Sequence, residues 1–393
     1  MNDNEKRRTK RVAIAGLPCD SNQGDVLILQ TVELLLQREA ARRGVEVKYE
    51  ELNLRDENYG MPTWQYVGFL VKNKLRRMLP QNALNLRWQI AMQMEAYRHL
   101  PQDLCGAVVA GGGLMHFRFH PYVMQISALV GACNRRQLPV VINSVGIEEY
   151  APRSKRFAVY KRYLNLPAVK RFTVRDNLEA LRRDFVAEGS TMETDLVPDN
   201  AILAAQMMGI ERQEDSQLVG VGLVRSNIYD EYYGERRAPL LTDRYEALLR
   251  QLDAEGTPWE LFTTGVETDN DLVPELERRL GRRLTVRTPQ TPRQLVELIA
   301  TYQGIIAARM HACITAYSLG VPFVAIAWLQ KIPKFCELVG RPTMHVKLED
   351  ATPDRLLALL REAMATDYDA ALRTQLTHKI EENIRRMADC LSL

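Results

Sequence analysis

Arg309 and His311 stand one residue apart in the segment Ile305–Ile306–Ala307–Ala308–Arg309–Met310–His311–Ala312, and their types suit the handling of an anion. The segment reads as a strand, a tight turn and a helix, with another strand over Val321–Ala327. Both side chains then fall at the start of the helix, where the positive end of the dipole favours negative charge and lowers a histidine pKa. A cation at that end costs about 0.3–1 kcal/mol, which argues for a bound negative ligand. Arginine offers a planar fork matched to carboxylate or phosphate, and histidine transfers protons near neutrality. Arg175 closes another apparent strand, Thr173–Val174–Arg175–Asp176, and could supply a second fork. A structural ion pair would use that arginine equally well.

Other segments could complete such a site. Asn22–Gln23–Gly24–Asp25 precedes the helical pattern Val26, Leu29, Val32, Leu35, Leu36. Free N–H groups at that helix start favour an anion and Gly24 permits close approach, although Asn22 or Asp25 would also serve as an ordinary cap. Gly111–Gly112–Gly113 follows the strand Ala107–Ala110, with His116, Arg118 and His120 just beyond. A turn without Cβ atoms could set Gly112 and Gly113 against a ligand, or simply be a tight turn beside surface histidines. The spacing is neither GxGxxG nor a Walker loop. Ser144–Val145–Gly146 ends the next strand, and Lys331 follows the strand Val321–Ala327 on the same expected sheet edge. In Tyr66–Leu79, helically spaced Val67, Leu70, Val71, Leu75 and Met78 accompany Lys72, Lys74, Arg76 and Arg77. Such a helix could rest on anionic lipid or be an ordinary surface helix.

The elements that would position these groups are short Val- and Ile-rich runs between stretches of helical spacing. They recur at Val12–Leu17, Ala107–Ala110, Pro139–Val145, Arg171–Val174, Leu218–Val224, Trp259–Phe262, Leu284–Val286, Gly304–Ala307 and Val321–Ala327. This alternation predicts an α/β protein with parallel sheets covered by helices on both faces. A pause over Ala201–Gln217 suggests two doubly wound domains facing a cleft, at residues 12–210 and 211–365, after a charged tail at 1–11. The last helix, within 366–393, spans about 34 Å and could cross back to the first domain. The 393 residues are 46% hydrophobic and 26% charged with a net charge of +3, which suits globular domains and gives no overall field for nucleic acid. Six scattered cysteines without CxxC read as buried reduced thiols, and no apolar run reaches membrane-spanning length, so a cytoplasmic protein is expected. No His, Cys, Asp or Glu group has metal-ligand spacing.

Taken in order, Asn22–x–Gly24–Asp25, Gly111–Gly112–Gly113, Ser144–x–Gly146, Val174–Arg175–Asp176, Asp199 in Val197–Pro198–Asp199–Asn200–Ala201, Arg309–x–His311–Ala312 and Gly320–x–Pro322 resemble the polysaccharide pyruvyl transferase family over about residues 11–345. The resemblance implies two Rossmann-like domains similar to GT-B glycosyltransferases. It implies a transferase in cell-surface polysaccharide biosynthesis that uses phosphoenolpyruvate as donor and a sugar hydroxyl pair as acceptor, forming a pyruvate ketal and phosphate. The acceptor would be a sugar, a sugar nucleotide or a lipid-linked glycan, the last met at the inner face of a membrane. No cofactor or metal is implied. Arg309 and His311 match the family's Arg-x-His pattern and Arg175 its Arg-Asp pattern, so these three are the expected catalytic centre. Asn22, Gly24, Asp25, Gly112, Gly113, His116, His120, Ser144 and Lys331 are the expected substrate-binding set, His116 and His120 by position only. Family members usually carry an aromatic, an acid and a lysine after the late strand, whereas this chain reads Trp328–Leu329–Gln330–Lys331. A nucleotide-sugar glycosyltransferase and a non-catalytic glycan-binding protein are the competing readings.

Overall fold

The computed structural model describes residues 8–18, 20–55, 83–117, 122–233 and 237–393. The chain forms two compact units. The first takes the chain up to residue 19, Ile28–Asn200 and His378–Leu393; the second takes Asp20–Leu27 and Ala201–Thr377.

In the first unit, β1 (Arg8–Gly16), β2 (Val45–Asn53), β3 (Leu104–His116), β4 (Val140–Glu148), β5 (Val169–Val174) and β6 (Glu193–Leu196) form one parallel sheet ordered β2-β1-β3-β4-β5-β6. Its central strands are buried on both faces, as at Val12–Ala15, Ala107–Val109 and Val140–Ile142, which accounts for their uninterrupted apolar runs. The helix Tyr122–Arg135 is buried from Tyr122 to Cys133, so it too is apolar nearly all round.

In the second unit, β7 (Val219–Gly222), β8 (Trp259–Phe262), β9 (Val286–Arg287), β10 (Gly304–Ala307), β11 (Phe323–Ala327) and β12 (His345–Lys347) form a parallel sheet ordered β12-β11-β10-β7-β8-β9. The strand order reverses between β7 and β10, which register Gly304 against Val219 through Ala307 against Gly222. Doubly wound sheets bind ligands beyond the carboxyl ends of the strands at such a point. The end of β10 runs directly into Arg309 and the buried helix Met310–Leu319, which is closed by Gly320 at φ +74°.

Three expectations are corrected. The division falls between Asn200 and Ala201 rather than at residue 210, because the helix Ala204–Met208 is tied to the second unit by the Ala205 N–H donating to Ser318 Oγ at 3.1 Å. Asp20–Leu27 also joins the second unit, where the Gln23 N–H donates to the Thr264 carbonyl at 2.8 Å. The three glycines do not follow β3 but lie within it. Positive φ at Gly111 (50°) and Gly112 (78°) absorbs an irregularity, after which pairing resumes at Met115–Ile147 and His116–Glu148.

The helix Ala370–Cys390 ends in the first unit. There Asn383 donates to Asn143 Oδ1 at 2.7 Å and accepts from Arg171 Nε at 2.8 Å, and Glu381 and Lys379 pair with Arg38 and Asp195. Residues 66–79, Cys19 and His120 lie outside the described residues. Among the described residues no helix is long and apolar enough to cross a membrane. Cys105, Cys133, Cys313, Cys336 and Cys390 are free thiols, and burial pushes Cys133 and Cys336 up to about 12.

Candidate active site

Two motifs distant in the chain, Asn22–Asp25 and Arg309–His311, meet in the second unit. Arg309 is the residue before the helix Met310–Leu319, and His311 occupies its first turn with little exposure. Gly24, in the first turn of the helix Gln23–Arg42, lies against the imidazole. A Cβ built at Gly24 would fall 2.3 Å from His311 Cβ, 2.5 Å from Cγ and 2.6 Å from Nδ1. The glycine here makes room for a ring, since its backbone is not in the left-handed region.

Asp25 Oδ1 lies 3.7 Å from His311 Nδ1, longer than a hydrogen bond and within ion-pair range of a protonated ring. Asn22 steadies this carboxylate: Nδ2 donates to Asp25 Oδ2 at 2.8 Å, while Oδ1 accepts from Thr264 Oγ1 at 2.9 Å and the Gly24 N–H at 3.3 Å. Capping and positioning are therefore not alternatives for Asn22. Its side chain accepts a backbone N–H and directs Asp25 toward the histidine.

Arg309 turns its fork onto a protein carboxylate. Nε and Nη2 donate to Asp269 Oδ2 and Oδ1 at 2.8 and 2.5 Å, and Asp269 is fully buried. The same Oδ1 accepts the Arg225 N–H at 3.0 Å. The anion that offsets a cation at this helix start is thus Asp269, which corrects the inference that a ligand must supply it. Nη1 makes no hydrogen bond among the described residues.

Thr264, Gly265 and Asp269 were not among the residues singled out from sequence. Gly265 sits at φ +97°, and a Cβ there would lie 2.4 Å from the Ser21 carbonyl, so it brings the loop carrying Asn22 against the loop after β8. Gly265 had a weak signal as a turn glycine in Thr263–Thr264–Gly265; Asp269 looked like any acid in a polar turn.

Lys331 begins the helix Lys331–Leu338, with Nζ 5.7 Å from the Trp328 ring centre. Trp328 is buried and donates from Nε1 to the Ala308 carbonyl at 2.8 Å, which anchors this loop to the turn carrying Arg309.

Arg175, Ser144, Gly112, Gly113 and His116 belong to the first unit. Arg175 is a buried ion-pair partner of Asp199. Burial disfavours its charge, but Asp199, Asp176 and Glu148 outweigh that and hold the guanidinium more firmly protonated than usual. With these carboxylates around it, the pairing alternative describes Arg175 better than an anion clamp does. Gly146 packs against it, a Cβ there meeting Arg175 Nε at 3.3 Å. Ser144 lies at φ +49° with its Oγ 3.0 and 2.9 Å from the Val197 and Pro198 carbonyls. Its hydroxyl thus holds the segment leading to Asp199 instead of facing a substrate. His116 is buried at the end of β3 rather than on the surface, and Gly113 borders open space.

Two doubly wound parallel sheets, with a histidine, arginine and aspartate at the switch point of the second, define a GT-B-like fold. Solved structures agree on the fold. The chain is similar to a UDP-N-acetylglucosamine 2-epimerase described as putative from Listeria monocytogenes, with 13% identity, TM-score 0.55 and 94% of each chain covered. It is also similar to the Neisseria meningitidis UDP-GlcNAc 2-epimerase solved with UDP-GlcNAc, with 11% identity, TM-score 0.53 and coverage of 98% and 99%. The Methanocaldococcus jannaschii UDP-GlcNAc 2-epimerase gives 9% identity, TM-score 0.53 and coverage of 92% and 94%. A search of curated proteins by sequence gives no match. The family model for polysaccharide pyruvyl transferase matches residues 24–330, and the chain belongs to that family.

Proposed function

We propose that the protein transfers pyruvate from phosphoenolpyruvate to a pair of sugar hydroxyls, with His311 as the proton-transfer group. The observation that carries this reading is the seating of His311 against Gly24 and beside Asp25, with Arg309 at the same helix start. Phosphoenolpyruvate presents a carboxylate and a phosphate, and the Arg309 Nη1 edge together with the N-terminus of the helix Met310–Leu319 suits one of them.

Ketal formation needs a proton on the donor's methylene carbon, attack of one hydroxyl at C2, and displacement of phosphate from C2 by the second hydroxyl. Two hydroxyl protons are released; one balances the new methyl group and the other leaves with phosphate. His311 delivers the first from its protonated ring and regains a proton from the attacking hydroxyl, while Asp25 orients the ring and balances its charge. Arg309 is oriented by Asp269. Lys331, at the start of the helix that follows the Trp328 loop, is a further cation for the donor.

The test is phosphate release from phosphoenolpyruvate across a panel of sugar, sugar-nucleotide and lipid-linked acceptors, with His311→Ala as control. Acceptor-dependent release that falls about 10²–10⁴-fold in the variant supports the reading. Release of a nucleoside diphosphate from a nucleotide sugar, with no use of phosphoenolpyruvate, would establish a glycosyltransferase instead.

A further inference from the structure

Among the described residues three large apolar side chains are exposed: Leu84, Trp88 and Leu196. Leu196 stands alone at the end of the edge strand β6, and single exposed apolar residues are ordinary. Leu84 and Trp88 differ, because they lie four residues apart in the helix Ala83–Ala96 and so share one face. Leu84 is 73% exposed and Trp88 43%. Ala91 continues the same stripe and is half-buried. The other side of the helix is buried through Leu86, Ile90, Gln93 and Met94, so packing within the first unit turns the stripe outward.

The charges around the stripe are mainly positive. Arg87, one position before Trp88, is exposed and makes no ion pair among the described residues. At the C-terminal end of the stripe Glu95 is shared by Arg98 and Arg135, at 2.7 and 3.3 Å, so these three arginines stand against one acid. Residues 66–79, which closely precede the helix in the chain, contribute Lys72, Lys74, Arg76 and Arg77 and no acid. An indole ring, apolar with one polar N–H, favours the boundary between water and hydrocarbon, and cations beside it are drawn to anionic headgroups. A second copy of the chain docked face to face here would instead set like charges together.

We infer that the helix Ala83–Ala96 docks on an anionic lipid surface. Leu84 and Trp88 enter the headgroup boundary, and Arg87, Arg98 and Arg135 meet acidic headgroups. This contact is independent of the pyruvyl-transfer reading, and it centres on a helix outside residues 66–79.

Co-sedimentation of the full chain with vesicles tests it. Vesicles of phosphatidylcholine and phosphatidylglycerol in equal parts should pellet the protein, with partitioning about tenfold or more above that on phosphatidylcholine alone. Trp88→Ala should weaken partitioning about tenfold, the loss of one large apolar side chain from lipid, and Arg87→Gln about fivefold. Both residues are exposed, so thermal unfolding should keep its wild-type midpoint. Lipids brominated high on the acyl chain should quench tryptophan emission on binding, and Trp88→Phe should remove that quenching. Wild-type partitioning in both Trp88→Ala and Leu84→Ala, or equal pelleting with neutral vesicles, would overturn the assignment. Binding lost only when Lys72, Lys74, Arg76 and Arg77 are replaced by glutamine would overturn it in favour of residues 66–79. A lipid-free dimer abolished by Trp88→Ala would overturn it in favour of a second copy.

Discussion

Replacing Gly24 by alanine introduces one methyl group into the contact that defines the site. The added carbon would sit 2.3 Å from His311 Cβ, where ordinary contact begins near 3.4 Å, so the ring or the Asn22–Asp25 segment must move by about 1 Å. A displacement of that size at a reacting group costs roughly 10²-fold in rate. Stability should fall by about 1–3 kcal/mol, because the atom struck is a Cβ that cannot swing aside, with alanine's helix preference of about 1 kcal/mol over glycine offsetting part of the strain. Turnover of Gly24→Ala, His311→Gly and the double variant forms a cycle that isolates the contact, since glycine at 311 also removes the Cβ that the new methyl would strike. If Gly24 acts only by seating His311, the double variant matches His311→Gly. Near-wild-type turnover in Gly24→Ala, or independent losses that multiply in the double variant, would refute the reasoning.

Arg309→Lys keeps the charge but loses the two-point contact with Asp269, so turnover should fall strongly; Arg309→Ala strands a fully buried carboxylate and should cost about 3–5 kcal/mol by urea unfolding. Glu33 has its pKa raised from 4.5 to about 7, first by burial and then by Glu51. Between those values the unfolded chain gives up a proton that the folded protein keeps, so stability falls as pH rises through that window, and Glu33→Gln should flatten the decline in unfolding midpoint. Turnover should survive EDTA unchanged, since arginine and helix N–H groups are proposed to neutralise the donor; activity lost to EDTA and restored by a divalent ion would contradict that.

The central strands were legible in the sequence because both of their faces are buried, which writes them as continuous Val and Ile runs. The strands that left no such run, Val45–Asn53, Glu193–Leu196 and His345–Lys347, are all sheet edges, where one side meets no further strand and charged residues are tolerated. Arg309, His311, Gly24 and Asp25 were each visible as residue types at element ends. Their contact was not, because it depends on a segment near residue 24 joining the unit built mainly from residues 201–377. Asp269 was hidden for a related reason: an acid becomes the partner of Arg309 only when the order β10-β7-β8 sets the turn after β8 within reach of the arginine, across the end of β7. At Arg175 the sequence allowed both a ligand clamp and an ion pair, and the neighbouring carboxylates favour the pair.

Turnover in heavy water tests the central claim most directly. With phosphoenolpyruvate and an accepted sugar, mass spectrometry and NMR of the product should find one solvent deuterium in the ketal methyl group, and His311→Ala should remain folded while losing about 10²–10⁴-fold in the rate of ketal formation. A ketal methyl without solvent deuterium, or a His311→Ala variant that forms product at the wild-type rate, would contradict the account.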